Sequence, residues 1–165
     1  MNIPLRLWRR IAALLLLLWL PAAAAQEAPA LSAGQTLYLA IYSHLYHGDV
    51  HPKTGKPSET LVSTHVSIRN TDPVSPMKVS SARYFNTDGN LLREYQATPK
   101  AIPPLGTLEL YVPRSDSSGG SGANFLITWN ADKPINPPII EALHADIRES
   151  RTLLFVTTAR PIQTR

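Results

Sequence analysis

The chain has 165 residues, with 16 Lys and Arg against 12 Asp and Glu, and no cysteine. Without cysteine there is no disulfide framework, thiol nucleophile, thiolate metal centre or lipidated cysteine, so the core alone must hold the fold. Arg6, Arg9 and Arg10 precede every other charge, and setting them aside leaves 13 basic against 12 acidic residues, a near-neutral balance without basic runs that excludes a nucleic-acid partner.

Residues 1–25 place those arginines before the apolar run Ile11 to Leu20, then Pro21 and Ala23-x-Ala25 ahead of Gln26. A basic start, an apolar stretch and a small-residue end are what a secretory signal peptidase reads, so a signal-peptide helix cleaved after Ala25 is expected. The mature protein is then exported, to the bacterial periplasm or beyond. The run falls short of the roughly 20 residues that span a bilayer, so membrane contact arises only through this segment if it stays uncleaved. Residues 26–35 read as a disordered tail and 36–165 as a single domain, for which 140 mature residues suffice.

Short alternating runs between turn signals then recur along the chain. Leu37, Leu39 and Ile41 alternate with Tyr38, Ala40 and Tyr42, as do Val62, Thr64, Val66 and Ile68 with Ser63, His65 and Ser67. Each is a half-buried strand. Asp49 to Ser58, with two prolines and a glycine, reads as an exposed loop between them. Val79 to Phe85 and Leu91 to Tyr95 flank Asp88-Gly89, a hairpin signal because these turn positions tolerate positive φ. Leu108, Leu110 and Val112 share one face of the next strand, and Phe125, Ile127 and Trp129 one face of another. Residues 138–148 fit two patterns: Asn136-Pro137-Pro138 could cap a helix, while Ile140, Ala142 and His144 alternate with their neighbours as in a strand. The all-β surroundings favour the strand. Leu153, Phe155 and Thr157 line the last one. Seven or eight such strands predict an all-β, immunoglobulin-like β-sandwich.

Two constellations could carry function. His44, His47 and His51 lie close together with Asp49 between them, and imidazoles with a carboxylate suit zinc or copper; His44, His47 and Asp49 are the candidate ligands. Ser118-Gly119-Gly120-Ser121-Gly122, followed by Ala123 and Asn124, is a candidate binding loop, since glycines free backbone N–H groups to meet an anion. It lacks the Gly-Lys-Ser/Thr of a nucleotide cradle and precedes a strand rather than a helix. Ser75-Pro76-Met77-Lys78 and Lys53-Thr54-Gly55 mimic penicillin-recognising enzymes, but in the wrong order and in too short a chain. No catalytic constellation emerges. The reading is a non-catalytic binding or scaffolding module whose partner is an envelope protein or a small ligand, with no cofactor; the alternative is a periplasmic zinc- or copper-binding protein.

Leu37 to Asp49, Ser67 to Pro73 (Ser-Ile-Arg-Asn-Thr-Asp-Pro), Tyr84 to Leu92 with its Asp-Gly-Asn turn, and Ser118 to Phe125 together resemble the bacterial family "domain of unknown function 3124". The resemblance runs from about residue 34 to 163 and takes in Pro138-Ile139-Ile140-Glu141-Ala142. It implies an exported protein and a strand after Ala142. It implies no activity.

Overall fold

The computed structural model describes residues 29–163; the expected signal segment lies outside them. Among the described residues twelve strands run in chain order: β1 Ser32–Ala40, β2 His44–His47, β3 Ser58–Leu61, β4 Ser63–Arg69, β5 Met77–Phe85, β6 Leu91–Glu94, β7 Lys100–Ile102, β8 Thr107–Val112, β9 Asn124–Ile135, β10 Ile139–Arg148, β11 Arg151–Thr158 and β12 Arg160–Ile162. No helix occurs among the described residues, and hence none long and apolar enough to cross a membrane.

Every pairing is antiparallel. One sheet has the order β12-β1-β9-β5-β6, with β7 also on β5; a second has the order β11-β10-β4-β8; β2 and β3 form a separate hairpin. The eight expected strands are all present. The four additional ones, β2, β3, β7 and β12, are three or four residues long, too short for alternation to register in the sequence. Within the expected 26–35 tail, Ser32–Gln35 belong to β1: Gly34 and Gln35 pair with Asn130 and Trp129 on β9, and backbone pairing orders a stretch whose side chains carry no pattern.

Both larger sheets contribute to one core. Leu37 and Leu39 of β1, Val79, Ala82 and Tyr84 of β5, and Phe125, Ile127 and Trp129 of β9 meet Val66 and Ile68 of β4, Leu108, Leu110 and Val112 of β8, and Ile140 and Ala142 of β10. The inward set on β5 changes phase, from Met77 and Val79 to Ala82 and Tyr84. A register shift between Val79 and Ser81 causes it, since one extra residue moves every later side chain to the opposite face. Ser80 Oγ donates to the Thr128 carbonyl at this irregularity.

Of residues 138–148, Ile139–Arg148 settle as strand. β10 lies between β11 and β4 and bonds to both along most of its length, which a helix in the same place would forfeit. Its inward face is Ile140, Ala142, His144 and Asp146, while Ile139, Leu143 and Ile147 are exposed. Asp88-Gly89 sits in the β5–β6 hairpin as expected: Gly89 has φ 80°, and Asn86 N–H donates to the Asn90 carbonyl at 3.0 Å.

Candidate functional site

The inward row of β10 passes from apolar to polar as it approaches the turn into β11. Ile140 and Ala142 are followed by His144 and then Asp146, all buried. Thr64 of β4, paired with His144, is buried too. A core that ends in polar groups must satisfy them or lose stability. His144 Nε2 accepts the Tyr42 backbone N–H at 3.2 Å, its ring stacks on Phe155 with centroids 4.4 Å apart, and Tyr42 packs edge-on against it at 5.7 Å. Its Nδ1 has no partner among the described residues. Burial holds the His144 pKa down from 6.5 to about 4, against a lesser opposing pull from the Ala142 and Phe155 carbonyls. The imidazole is therefore neutral at pH 7.

Asp146 draws three arginines. Arg148 Nε donates to both carboxylate oxygens at 3.0 and 3.1 Å, Arg151 Nη2 donates to Oδ2 at 3.0 Å, and Arg114 Nε stands 3.5 Å from Oδ1. The Arg148 hydrogen bond foremost, then that of Arg151 and the positive charges of Arg148 and Arg114, hold the Asp146 carboxyl below the usual carboxylate range against desolvation. The Asp146 side chain is 1% exposed, while those of Arg114, Arg148 and Arg151 are 47, 44 and 49% exposed. One buried anion is thus surrounded by three cations whose outer faces meet solvent. Arg151 Nη2 also donates to Thr60 Oγ1 at 3.2 Å, and the same hydroxyl lies 3.0 Å from His47 Nε2.

The Arg151, Thr60 and His47 end of this network forms one wall of a cleft of about 390 Å³ between the β2–β3 hairpin and the start of β11, whose other lining residues are Leu45, Tyr46 and Leu153. Apolar side chains and a few converging polar groups are the usual make-up of a small-ligand site, and the volume falls within the ~300–1,000 Å³ such sites span. On the other side, Arg114 lines a second depression with Leu61 and Ser115.

The structure separates the residues singled out as metal ligands. His44 and His47 lie three apart on β2, an odd spacing that puts their side chains on opposite faces of the strand. His44 packs edge-on against Tyr46 at 4.8 Å, His47 faces Thr60, and Asp49 is exposed in the loop beyond. No group of three or more His, Asp or Glu side chains is placed to hold a metal ion among the described residues.

The glycine-rich segment is drawn inward. The Gly119 carbonyl accepts from Thr87 N–H at 2.9 Å and Thr87 Oγ1 at 3.1 Å; the Gly120 carbonyl accepts from Ser43 N–H at 2.9 Å; Gly122 N–H donates to Thr87 Oγ1 at 3.0 Å. Ser118 N–H bonds Asp116, Ser121 is partly covered, and Asn124 opens β9 opposite Ala40 and Phe85. A Cβ on Gly119 would overlap Tyr84 Oη and come within 2.8 Å of Ala123 Cβ. Gly119 serves close packing, and the Gly119 and Gly120 carbonyls and the Gly120 and Gly122 N–H groups are spent within the fold. Of the residues that line the cleft, the sequence singled out His47 alone as a functional candidate, while Thr60 and the arginines went unremarked. The available signal was the alternation Ile140, Ala142, His144, Asp146, which carries an acid into the buried row just before the Arg148 and Arg151 pair.

The family model described as "Protein of unknown function (DUF3124)" matches residues 34–162, in agreement with the resemblance in the sequence. No curated protein matches. The chain is also similar to a solved structure from Thermotoga maritima, "Crystal Structure of Thermotoga maritima 1070", with 12% identity, coverage of 82% of this chain and 96% of the other, and a TM-score of 0.43.

Proposed function

The chain belongs to the DUF3124 family of proteins of unknown function, and from that premise, which brings no activity with it, we propose an exported, non-catalytic binding module. Its immunoglobulin-like β-sandwich holds a small ligand in the cleft between the β2–β3 hairpin and β11. Support for the sandwich comes from two antiparallel sheets sharing one core, with the chain passing from one sheet to the other after β4, β7, β8, β9 and β11. Support for export comes from the basic, apolar, small-residue order of residues 1–25.

The observation that carries the binding role is the cleft itself, where Leu45, Tyr46 and Leu153 stand beside the Thr60–Arg151–Asp146 network. Tyr46 is 56% exposed, a large aromatic surface held on a short hairpin at the rim, and rim loops on a rigid scaffold are where binding groups concentrate. Two measurements test the reading. Mass spectrometry of the periplasmic fraction is expected to show a mature N-terminus at Gln26; full-length chain in the membrane fraction overturns cleavage. Amide NMR of the labelled protein with a small-molecule extract of periplasm is expected to shift Leu45, Tyr46, Thr60 and Leu153 and to leave Ser118–Asn124 in place. Shifts confined to the glycine-rich segment, or none at all, overturn the cleft as the site.

A further inference from the structure

We infer that the ligand of this cleft is a small amphiphilic anion, with a carboxylate or phosphate head held by Arg151, the one arginine that lines the cleft, and a single hydrocarbon chain lying along Leu45, Tyr46 and Leu153. The inference rests on the binding role proposed above and adds the chemical class of what is bound. Charge complementarity leads to the head group. Arg114, Arg148 and Arg151 place two positive charges in excess of the Asp146 carboxylate. Their hydrogen bonds occupy Nε of Arg148 and Nη2 of Arg151, so the other guanidinium N–H groups have no protein acceptor among the described residues. Nearby acids do not neutralise them: Glu149 in the β10–β11 turn and Glu59 on β3 form no ion pair among the described residues.

Asp146 acts as an anchor. Hydrogen-bonded on both oxygens and fully buried, it fixes the near edge of Arg148 and Arg151, so little side-chain freedom remains to be lost when an anion meets their outer edges. A guanidinium presents donors in a planar fork that matches a carboxylate or phosphate, and such charge-assisted bonds are about twice as strong as neutral ones. Thr60 Oγ1, between Arg151 and His47, adds a hydroxyl at the boundary of the charged and apolar walls.

The body of the ligand follows from the rest of the lining. Leu45 and Leu153 offer hydrocarbon surface beside the Arg151 stem, with Tyr46 completing the lining. At about 390 Å³ the cleft lies near the small end of the ligand-site range, enough for one short chain and too little for a diacyl lipid.

Calorimetry on the purified mature protein tests this, with decanoate, decyl phosphate, decanol and decyltrimethylammonium below their micelle thresholds. Saturable binding of decanoate or decyl phosphate is expected, at least about tenfold tighter than decanol, with no binding of the cationic chain. The tighter of the two anions identifies the head as carboxylate or phosphate. Raising the salt concentration weakens the anions and leaves decanol unchanged. Arg151→Ala is expected to bring decanoate to the affinity of decanol; if that variant fails to fold, Leu153→Asn, which keeps every arginine, must weaken both chains together. Equal affinity for decanoate and decanol overturns the anionic class while the cleft stands as a site. Binding of neither by wild-type protein overturns this inference, and the NMR comparison with extract then decides separately whether the cleft binds anything.

Discussion

Residues 41–43 divide one rim of the molecule into two halves that handle polar groups in opposite ways. On the side of the six-stranded sheet, Ile41 and Ser43 donate their backbone N–H groups to the Ala123 and Gly120 carbonyls, and Ser43 Oγ meets Tyr84 Oη at 3.2 Å. On the side of the four-stranded sheet, Tyr42 N–H meets His144 and the Ser43 carbonyl accepts from Val62 N–H. The glycine-rich half closes its polar groups on backbone partners and on the hydroxyls of Thr87 and Tyr84. The arginine half closes a single carboxylate with long side chains and leaves their outer donors to solvent. Buried backbone groups paired with backbone report on packing, whereas half-exposed charge in excess of its internal partner is free to act on a ligand. The half that looked like an anion cradle in the sequence is the structural one.

Substitutions can break or sharpen this contrast. The largest loss is expected from Gly119→Ala: the new methyl overlaps Tyr84 Oη and crowds Ala123, and overpacking of this kind costs about 3 kcal/mol. Chemical denaturation measures it. Wild-type stability would mean that the glycine-rich half is loose after all. Gly89→Val comes next, at about 1 to 2 kcal/mol, because a β-branched residue is strained at a φ of 80° even though nothing obstructs its Cβ. That hairpin carries Thr87, so the same variant should loosen the Thr87 and Gly122 amides in hydrogen exchange.

The His144 effect depends on pH. Its folded pKa of about 4 lies below the ordinary 6.5, so the unfolded chain takes up a proton first as the pH falls. The stability it confers is complete above pH 6.5, drains away between 6.5 and 4, and is flat below. Asp146 loses its own contribution in a more acidic window, below the ordinary carboxylate value of 3.8, which keeps the two apart. Denaturation midpoints of His144→Leu measured across that range should fall less steeply than those of the wild type; parallel curves would remove His144 as the cause. The smallest change in stability is expected from Arg151→Ala, about 1 kcal/mol or less, because the side chain is half exposed and Arg148 and Arg114 remain on Asp146. A loss as large as that of Gly119→Ala would place Arg151 among the structural residues and erase the contrast.

Sequence alone determined what repeats at short range. Alternation assigned the core faces of β1, β4, β8 and β9, and Asp88-Gly89 marked its hairpin, because strand burial and turn geometry are written in consecutive residues. The motifs also carried the family, over residues 34–162. Only the tertiary structure decided the rest. It paired β2 with β3, ordered Ser32–Gln35 against β9, and set His44 and His47 facing apart. It also brought Arg114, Arg148 and Arg151 onto Asp146, and Thr60 onto Arg151 across 91 positions of chain. A cluster drawn from the end of β8, from β3 and from both sides of the β10–β11 turn has no spacing to betray it, because what gathers its members is the register of strands distant in sequence.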